Sequence, residues 1–205
     1  MKQTVRIAIL FTFACAAMAA FSNLAQAQKI DIAFGVSTTV APSASFVDGV
    51  ESAPSLSGGV FPGFSGDVLF WHNLGVGAEV YWRASQNQNY LGIEGVNYRP
   101  VTYNFNAVYS PKLASHVYLE LVGGLGALDT HITECNIGVG SDCGGTSPVG
   151  SSNHFDVDFG GGLKLYLKGG FFVRPEARYY WVNNDTDYAG NHFGRVGASI
   201  GYTFR

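Results

Sequence analysis

Five histidines, fifteen carboxylates and a scatter of serines are the side chains of this 205-residue sequence whose types could carry acid-base or nucleophilic chemistry. His154 stands two residues before Asp156, a spacing that puts both on one face of a strand, and an imidazole beside a carboxylate is half of a hydrolytic constellation. The other half does not assemble. His72 and His116 flank turns, His131 falls in a loop, and His192 opens a strand beside Asn191. No histidine pair has metal-ligand spacing, and no glycine-rich phosphate loop or nucleophile elbow is present. The pairing of His154 with Asp156 therefore reads as a hydrogen bond in a polar interior, and neither a catalytic site, a metal site nor a cofactor is expected.

Lys2 and Arg6 precede an apolar run, Ile7 to Phe21, and Ala25-Gln26-Ala27 offers a small-x-small cleavage site, so residues 1–27 read as a secretory signal peptide. Cys15 would leave with it. The remaining domain, 28–205, keeps ten of the twelve Lys and Arg against all fifteen Asp and Glu, a net charge of −5. It has no basic run, which excludes a nucleic-acid partner. Two cysteines remain, Cys135 and Cys143. An even number in an exported chain predicts a disulfide, here closing a short loop.

What must position these side chains is a set of strands. From Phe155 to Leu167 the odd residues are apolar or Gly, while Asp156, Asp158 and Lys164 are even. The alternation resumes after Lys168-Gly169-Gly170, with Phe171, Val173, Tyr179 and Trp181 against Arg174, Glu176 and Arg178. This period of two predicts eight strands at about 29–38, 61–71, 74–84, 98–109, 116–128, 153–167, 171–182 and 192–204. Three tight turns alternate with four longer connections, 39–60, 85–97, 129–152 and 183–191. Such alternation describes an up-and-down barrel with both termini at the tight-turn end. Loops 39–60 and 136–153, rich in Ser, Gly and Pro, are expected to be mobile.

The charges decide which face is the interior. Asp31, Asp67, Glu79, Arg83, Glu120, Asp156, Asp158, Lys164, Arg174, Glu176, Arg178 and Arg195 all occupy the parity opposite the bulky apolar residues. The remaining acids, Asp48, Glu51, Glu94, Asp129, Glu134, Asp142, Asp185 and Asp187, fall in the long loops. A soluble barrel of the lipocalin kind would turn the apolar set inward, but an eight-stranded interior has room for only modest side chains. The charged parity is instead rich in Gly, including Gly35, Gly77, Gly124, Gly126, Gly160 and Gly162, which leaves space for long polar chains. Excluding charge from the other face is what lipid demands, because Arg or Lys at the bilayer midplane costs about 2–4 kcal/mol. The expected fold is therefore an all-β, eight-stranded antiparallel transmembrane barrel. Its lumen would be plugged by ion pairs, and its aromatics, Trp82 and Trp181 at one end and Phe70, Tyr109, Phe171, Tyr202 and Phe204 at the other, would form two interfacial girdles.

The chain from residue 28 resembles the small eight-stranded outer-membrane barrels of the OmpA/OmpX-like superfamily, the outer membrane protein β-barrel domain. The most specific element is the ending Ile200-Gly201-Tyr202-Thr203-Phe204, followed here by Arg205 and similar to the C-terminal signal read by the barrel-assembly machinery. The resemblance implies an integral protein of a Gram-negative outer membrane with periplasmic termini, extracellular long loops and no domain after the last strand. A structural or surface-interaction role is expected. A narrow porin-like pore is the alternative, and a lipid-modifying enzyme a more distant one. Its partners would be outer-membrane lipid and lipopolysaccharide, whose phosphates divalent cations would bridge to the acidic loops, and a monomer is expected.

Overall fold

The period-two runs all become strands in the computed structural model. It describes residues 29–205 except 48–49, 85–86, 91–92, 138–142 and 185–186, so the expected leader at 1–27 lies outside it. Four segments form the first half of the wall: β1 (Lys29–Val40), β4 (Phe61–Trp71), β5 (Leu74–Trp82) and β7 (Ile93–Tyr109). The second half is β9 (Val117–Ile137), β10 (Cys143–Tyr166), β11 (Phe171–Val182) and β12 (His192–Phe204). Between them lie the short strands β2 (Ser45–Val47), β3 (Val50–Ala53), β6 (Asn87–Tyr90) and β8 (Lys112–Ala114).

Every wall strand pairs antiparallel with its neighbour, and β12 returns to β1 with Ile30 opposite Phe204 and Val40 opposite Gly194. The ring is closed around its full circumference, so the barrel has no open seam. Closure of this kind satisfies each backbone group within the chain, which is the condition for crossing hydrocarbon. The turn between β4 and β5 is the tightest. His72 and Asn73 both take positive φ, 46° and 68°, as a two-residue mirror-image turn requires.

The exterior is a continuous apolar belt. Ile32, Phe34, Phe64, Val76, Phe105, Leu125, Phe159, Val196 and Ile200 are all exposed, Phe105 to 72 %. A soluble surface would not carry such a belt. At its tight-turn rim Phe171, Tyr202 and Phe204 pack edge to face, with centroids 4.9 and 4.8 Å apart.

The structure departs from the expected boundaries at the loop end. β7 begins five residues earlier than the alternation suggests, and β9 and β10 run on as a paired hairpin to Ile137 opposite Cys143. Segment 129–152 is therefore largely sheet where it is described, while 138–142 of the loop expected to be mobile lie outside the described residues. Cross-strand backbone pairing, not side-chain alternation, carries this extension, with irregularities between Cys143 and Thr146 and between Pro148 and Gly150. Pro175 interrupts the ladder toward β10, where pairing passes from Gly162–Glu176 to Leu165–Val173 without a register shift. Lacking an N–H, it can give that ladder nothing.

A closed barrel of this kind keeps its compact form in detergent until heated. The protein is expected to migrate differently on a gel before and after boiling, and identical mobility in both lanes would contradict the closure.

Candidate functional site

The lumen is where the chemistry-bearing side chains meet. The period of two turns all twelve charges named above inward, and each is buried. They stack in layers. Nearest the tight turns, Lys164 Nζ lies 2.6 Å from Asp31 and 3.5 Å from Asp67 and contacts Glu120. Above it Arg174 binds Glu120 at 2.7 Å and Glu176 at 2.9 Å, donates to Ser65 Oγ at 2.7 Å, and reaches Ser199. Higher still, Glu79 accepts from Arg195 at 3.0 Å and from the Tyr180 hydroxyl at 2.9 Å, with Arg178 at 3.2 Å. Arg178 also reaches Asp158, diagonally across the β10–β11 hairpin, at 3.3 Å. Asn104 of β7 donates to Asp156 of β10, so every wall strand contributes to a bond that crosses the lumen.

Glycine makes room for these chains. A Cβ at Gly160 would lie 2.8 Å from the Arg178 side chain, and one at Gly77 only 2.2 Å from Asp67 Oδ1. Small residues on the charged parity are thus the complement of the long ones.

The interior is not uniformly polar, contrary to the expectation. Tyr81, Tyr180, Val182 and Phe193 share the charged parity and form, with Phe61, Tyr98 and Leu128, an apolar cluster toward the loop end. Tyr180 stacks on Phe193 at 4.5 Å and 7°, and the Arg195 guanidinium lies 3.5 Å from the centre of the Tyr81 ring. The alternation carries the signal for this cluster, since these aromatics stand in register with the charges.

Two connections close the cluster from above. Leu56, from the 41–60 connection, and Tyr188, from the 183–191 connection, are both buried in it. Thr39 Oγ1 donates to the Leu56 carbonyl at 2.5 Å, and the Ala189 amide donates to Pro54 O at 2.9 Å. Arg83 gathers the carbonyls of Leu56, Ser57 and Gly58 at 3.4, 3.3 and 3.0 Å. Burial pushes the Tyr188 hydroxyl well above its ordinary pKa. Residues 54–58 of the 39–60 segment form a cap, with Arg83 as its anchor rather than a member of the ion-pair layers.

His154 lies 3.4 Å from Asp187 Oδ2, and its expected neighbour Asp156 has a different partner. Ser152 donates to the same Asp187 oxygen. The carboxylate stands between serine and histidine, so the order serine–histidine–carboxylate of a hydrolytic triad is not formed at this site. The string Gly197-Ala198-Ser199-Ile200-Gly201 runs flat within β12 and is no elbow. Among the described residues no three His, Cys, Asp or Glu side chains are placed to hold a metal. Ile200, Tyr202 and Phe204 all face outward on β12. The side chains of Cys135 and Cys143 lie outside the described residues; in the backbone register Cys135 stands opposite Thr146 and Cys143 opposite Ile137, a diagonal placement.

Two outcomes follow for variants. Glu79→Ala strips Arg178 and Arg195 of their shared carboxylate inside a confined site and is expected to destabilise the barrel by about 3–5 kcal/mol, read as a lower urea midpoint. Arg83→Ala is expected to leave that midpoint within about 1 kcal/mol, because its carbonyl partners can turn to solvent, while exposing 41–60 to protease.

A family model described as outer membrane protein beta-barrel domain matches residues 12–204. Among solved structures, Neisserial surface protein A superposes with a TM-score of 0.59 at 13 % identity, covering 86 % of this chain and 97 % of its own. A major outer membrane protein from Thermus thermophilus gives 0.57 at 13 %, covering 87 % and 100 %. Ail of Yersinia pestis, in complex with the heparin analogue sucrose octasulfate, gives 0.53 at 13 %, covering 86 % and 97 %. No curated protein sequence matches the chain.

Proposed function

The chain belongs to the family of outer membrane protein β-barrel domains, and on that premise we propose that it is a non-conducting membrane anchor which presents a sheet to partners outside the cell. It is an integral protein of the bacterial outer membrane. In this reading residues 1–27 are removed on export and the termini lie in the periplasm. Ile200, Tyr202 and Phe204 guide barrel assembly, and the folded protein is a monomer.

The observation that supports the role is the unequal height of the wall. β11 ends at Val182, opposite Asp156, and the Asn183 amide still donates to Phe155 O, but from His154 to Cys143 β10 has no second strand on that side among the described residues. That is roughly 40 Å of strand at about 3.4 Å per residue, with one backbone edge left unpaired by the described chain. An open edge of this kind recruits an extended segment by strand addition. Asp129 and Glu134 lie on the neighbouring strand, and the other loop carboxylates belong to the same end of the sequence pattern. A basic peptide, or an anionic lipopolysaccharide phosphate bridged by divalent cations, fits that charge. A sulfated sugar of the kind bound to Ail fits it poorly.

The pore and enzyme alternatives have less support. The Lys164, Arg174 and Arg178 side chains are buried and ion-paired across the lumen, and the cap lies at the loop end above them. In the Ser152, His154 and Asp187 group the histidine meets the carboxylate and not the serine. We also propose that Cys135 and Cys143 form a disulfide that pins the end of the β9–β10 hairpin. Free thiols on native protein would overturn that pairing.

Replacing residues 131–151 by a short turn tests the role. The trimmed barrel is expected to keep its heat shift and lose capture of extended basic peptides on whole cells, whereas unchanged capture would remove the proposed surface. In planar bilayers the intact protein is expected to give no steady current, and a stable large conductance would restore the pore.

A further inference from the structure

The lumen charges do not balance. Seven of the twelve are carboxylates and five are cations, and one of the cations, Arg83, is engaged by the carbonyls of the cap. The excess falls on one wall. Asp156 is fully buried with no cation within 4.0 Å among the described residues, and its only hydrogen bond among them is from Asn104 Nδ2 at 2.5 Å. Asp158, one turn of the pleat below, meets Arg178 through Oδ2 alone, and that guanidinium is shared with Glu79. A buried carboxylate left in this state is costly and calls for a compensating charge.

Neutral oxygens gather at the same place. In the strand register Asn104, Gly126 and Asp156 lie in one row across β7, β9 and β10, and Asn106, Gly124 and Asp158 in the next. Glycine occupies the middle of both rows, so the floor between the polar side chains is bare. A Cβ at Gly124 would sit 2.0 Å from Asn106 Oδ1 and 2.8 Å from Asp158 Oδ1, which shows that these two oxygens converge over the glycine. Neither has a hydrogen-bond partner among the described residues, nor do Asn104 Oδ1 and Asp156 Oδ2. Asn106 itself is only 6 % exposed. Two unpartnered oxygens, of Asn106 and Asp158, therefore converge over Gly124, and the adjacent row, where Asn104 Nδ2 lies over Gly126, carries two more unpartnered oxygens, Asn104 Oδ1 and Asp156 Oδ2.

We propose that Asn104, Asn106, Asp156 and Asp158 form a binding site for one hard divalent cation of the calcium type. The donor set is oxygen alone, with neither the imidazole nor the thiolate that would select zinc or copper. Calcium takes about 6–8 oxygens at roughly 2.3–2.6 Å and accepts carboxylates, amide oxygens and water together, in flexible geometry. Its two charges match the two carboxylates that the arginine layers leave undercompensated. Magnesium demands a stricter octahedron and fits a wall of mixed amide and carboxylate oxygens less well. The site is separate from the outer acids invoked above for lipopolysaccharide, and it would stand if that surface role failed.

The test uses the full barrel in detergent after stripping with a chelator, with terbium as the probe, its luminescence sensitised by neighbouring tyrosines, and calcium as the competitor. One terbium per chain is expected, displaced by calcium. Calcium should also raise the temperature at which the gel shift is lost. Asp156→Asn and Asp158→Asn should each weaken terbium binding by roughly tenfold or more, the size of effect usual for damaging a metal site. Asn106→Ala, which alters no charge, should weaken it as well, and it decides the matter if the aspartate variants fail to fold. Glu134→Gln, on the outer sheet, should leave binding unchanged. Absence of terbium uptake would overturn the proposal. So would uptake unaltered by Asp156→Asn and Asn106→Ala, which would put the ion on the outer acids. An Asp156→Asn barrel that gains heat stability and no longer differs from the parent with or without calcium would show that a proton, not a metal, offsets the charge.

Discussion

In hydrocarbon an unpaired backbone N–H or C=O has no water to turn to, and the seam between β1 and β12 is where this chain meets that requirement. Everything else is downstream of it. Closing eight strands into a ring fixes an interior narrow enough to be filled by side chains. Alternation then commits each residue to lipid or lumen without a third choice. A charge that faced outward would meet the acyl chains, and an aromatic that faced inward must find space among ions.

Within that narrow bore the long side chains need partners on opposite walls, and the distances show how far each reaches. Arg174 on β11 touches residues of β4, β9 and β12, and Glu79 on β5 receives groups from β11 and β12. Apart from the Arg174–Ser199 contact between neighbouring strands, these bonds run across the barrel, whereas the hydrogen-bonded ladders run around it. The two sets brace the wall in different directions. Breaking one cross-bond leaves its partner buried and unmatched, which is why single losses here cost more than loss of an exposed pair.

Much of this arrangement is legible in the sequence, for a physical reason. A strand that separates lipid from polar lumen must alternate, so the faces and the burial of all twelve charges follow from parity alone. Which acid meets which cation does not follow, because it depends on the stagger of strands far apart in the chain. Proximity along the hairpin would put Lys164 near Arg174 and Glu176, yet it lies against Asp31, Asp67 and Glu120. The β9–β10 extension escapes the pattern because it stands clear of the membrane, where no lipid enforces alternation on its Gly and Ser. The cap is hidden too. Leu56 and Tyr188 are single apolar residues in stretches of turn-forming composition, and only the closed ring brings them together.

That meeting has a temporal side. Leu56 lies early in the sequence and Tyr188 late, and the Ala189–Pro54 hydrogen bond joins the same two segments. Contacts between segments so distant in sequence carry the largest loop-closure cost and form last. One half of the cap lies in the turn that leads into β12, so the cap and the β1–β12 seam join the same two ends of the chain and are expected to form late together. A half-built barrel would therefore be open at the top, with Tyr81, Tyr180 and Phe193 wet. The finished one is sealed in the same event that joins its two ends.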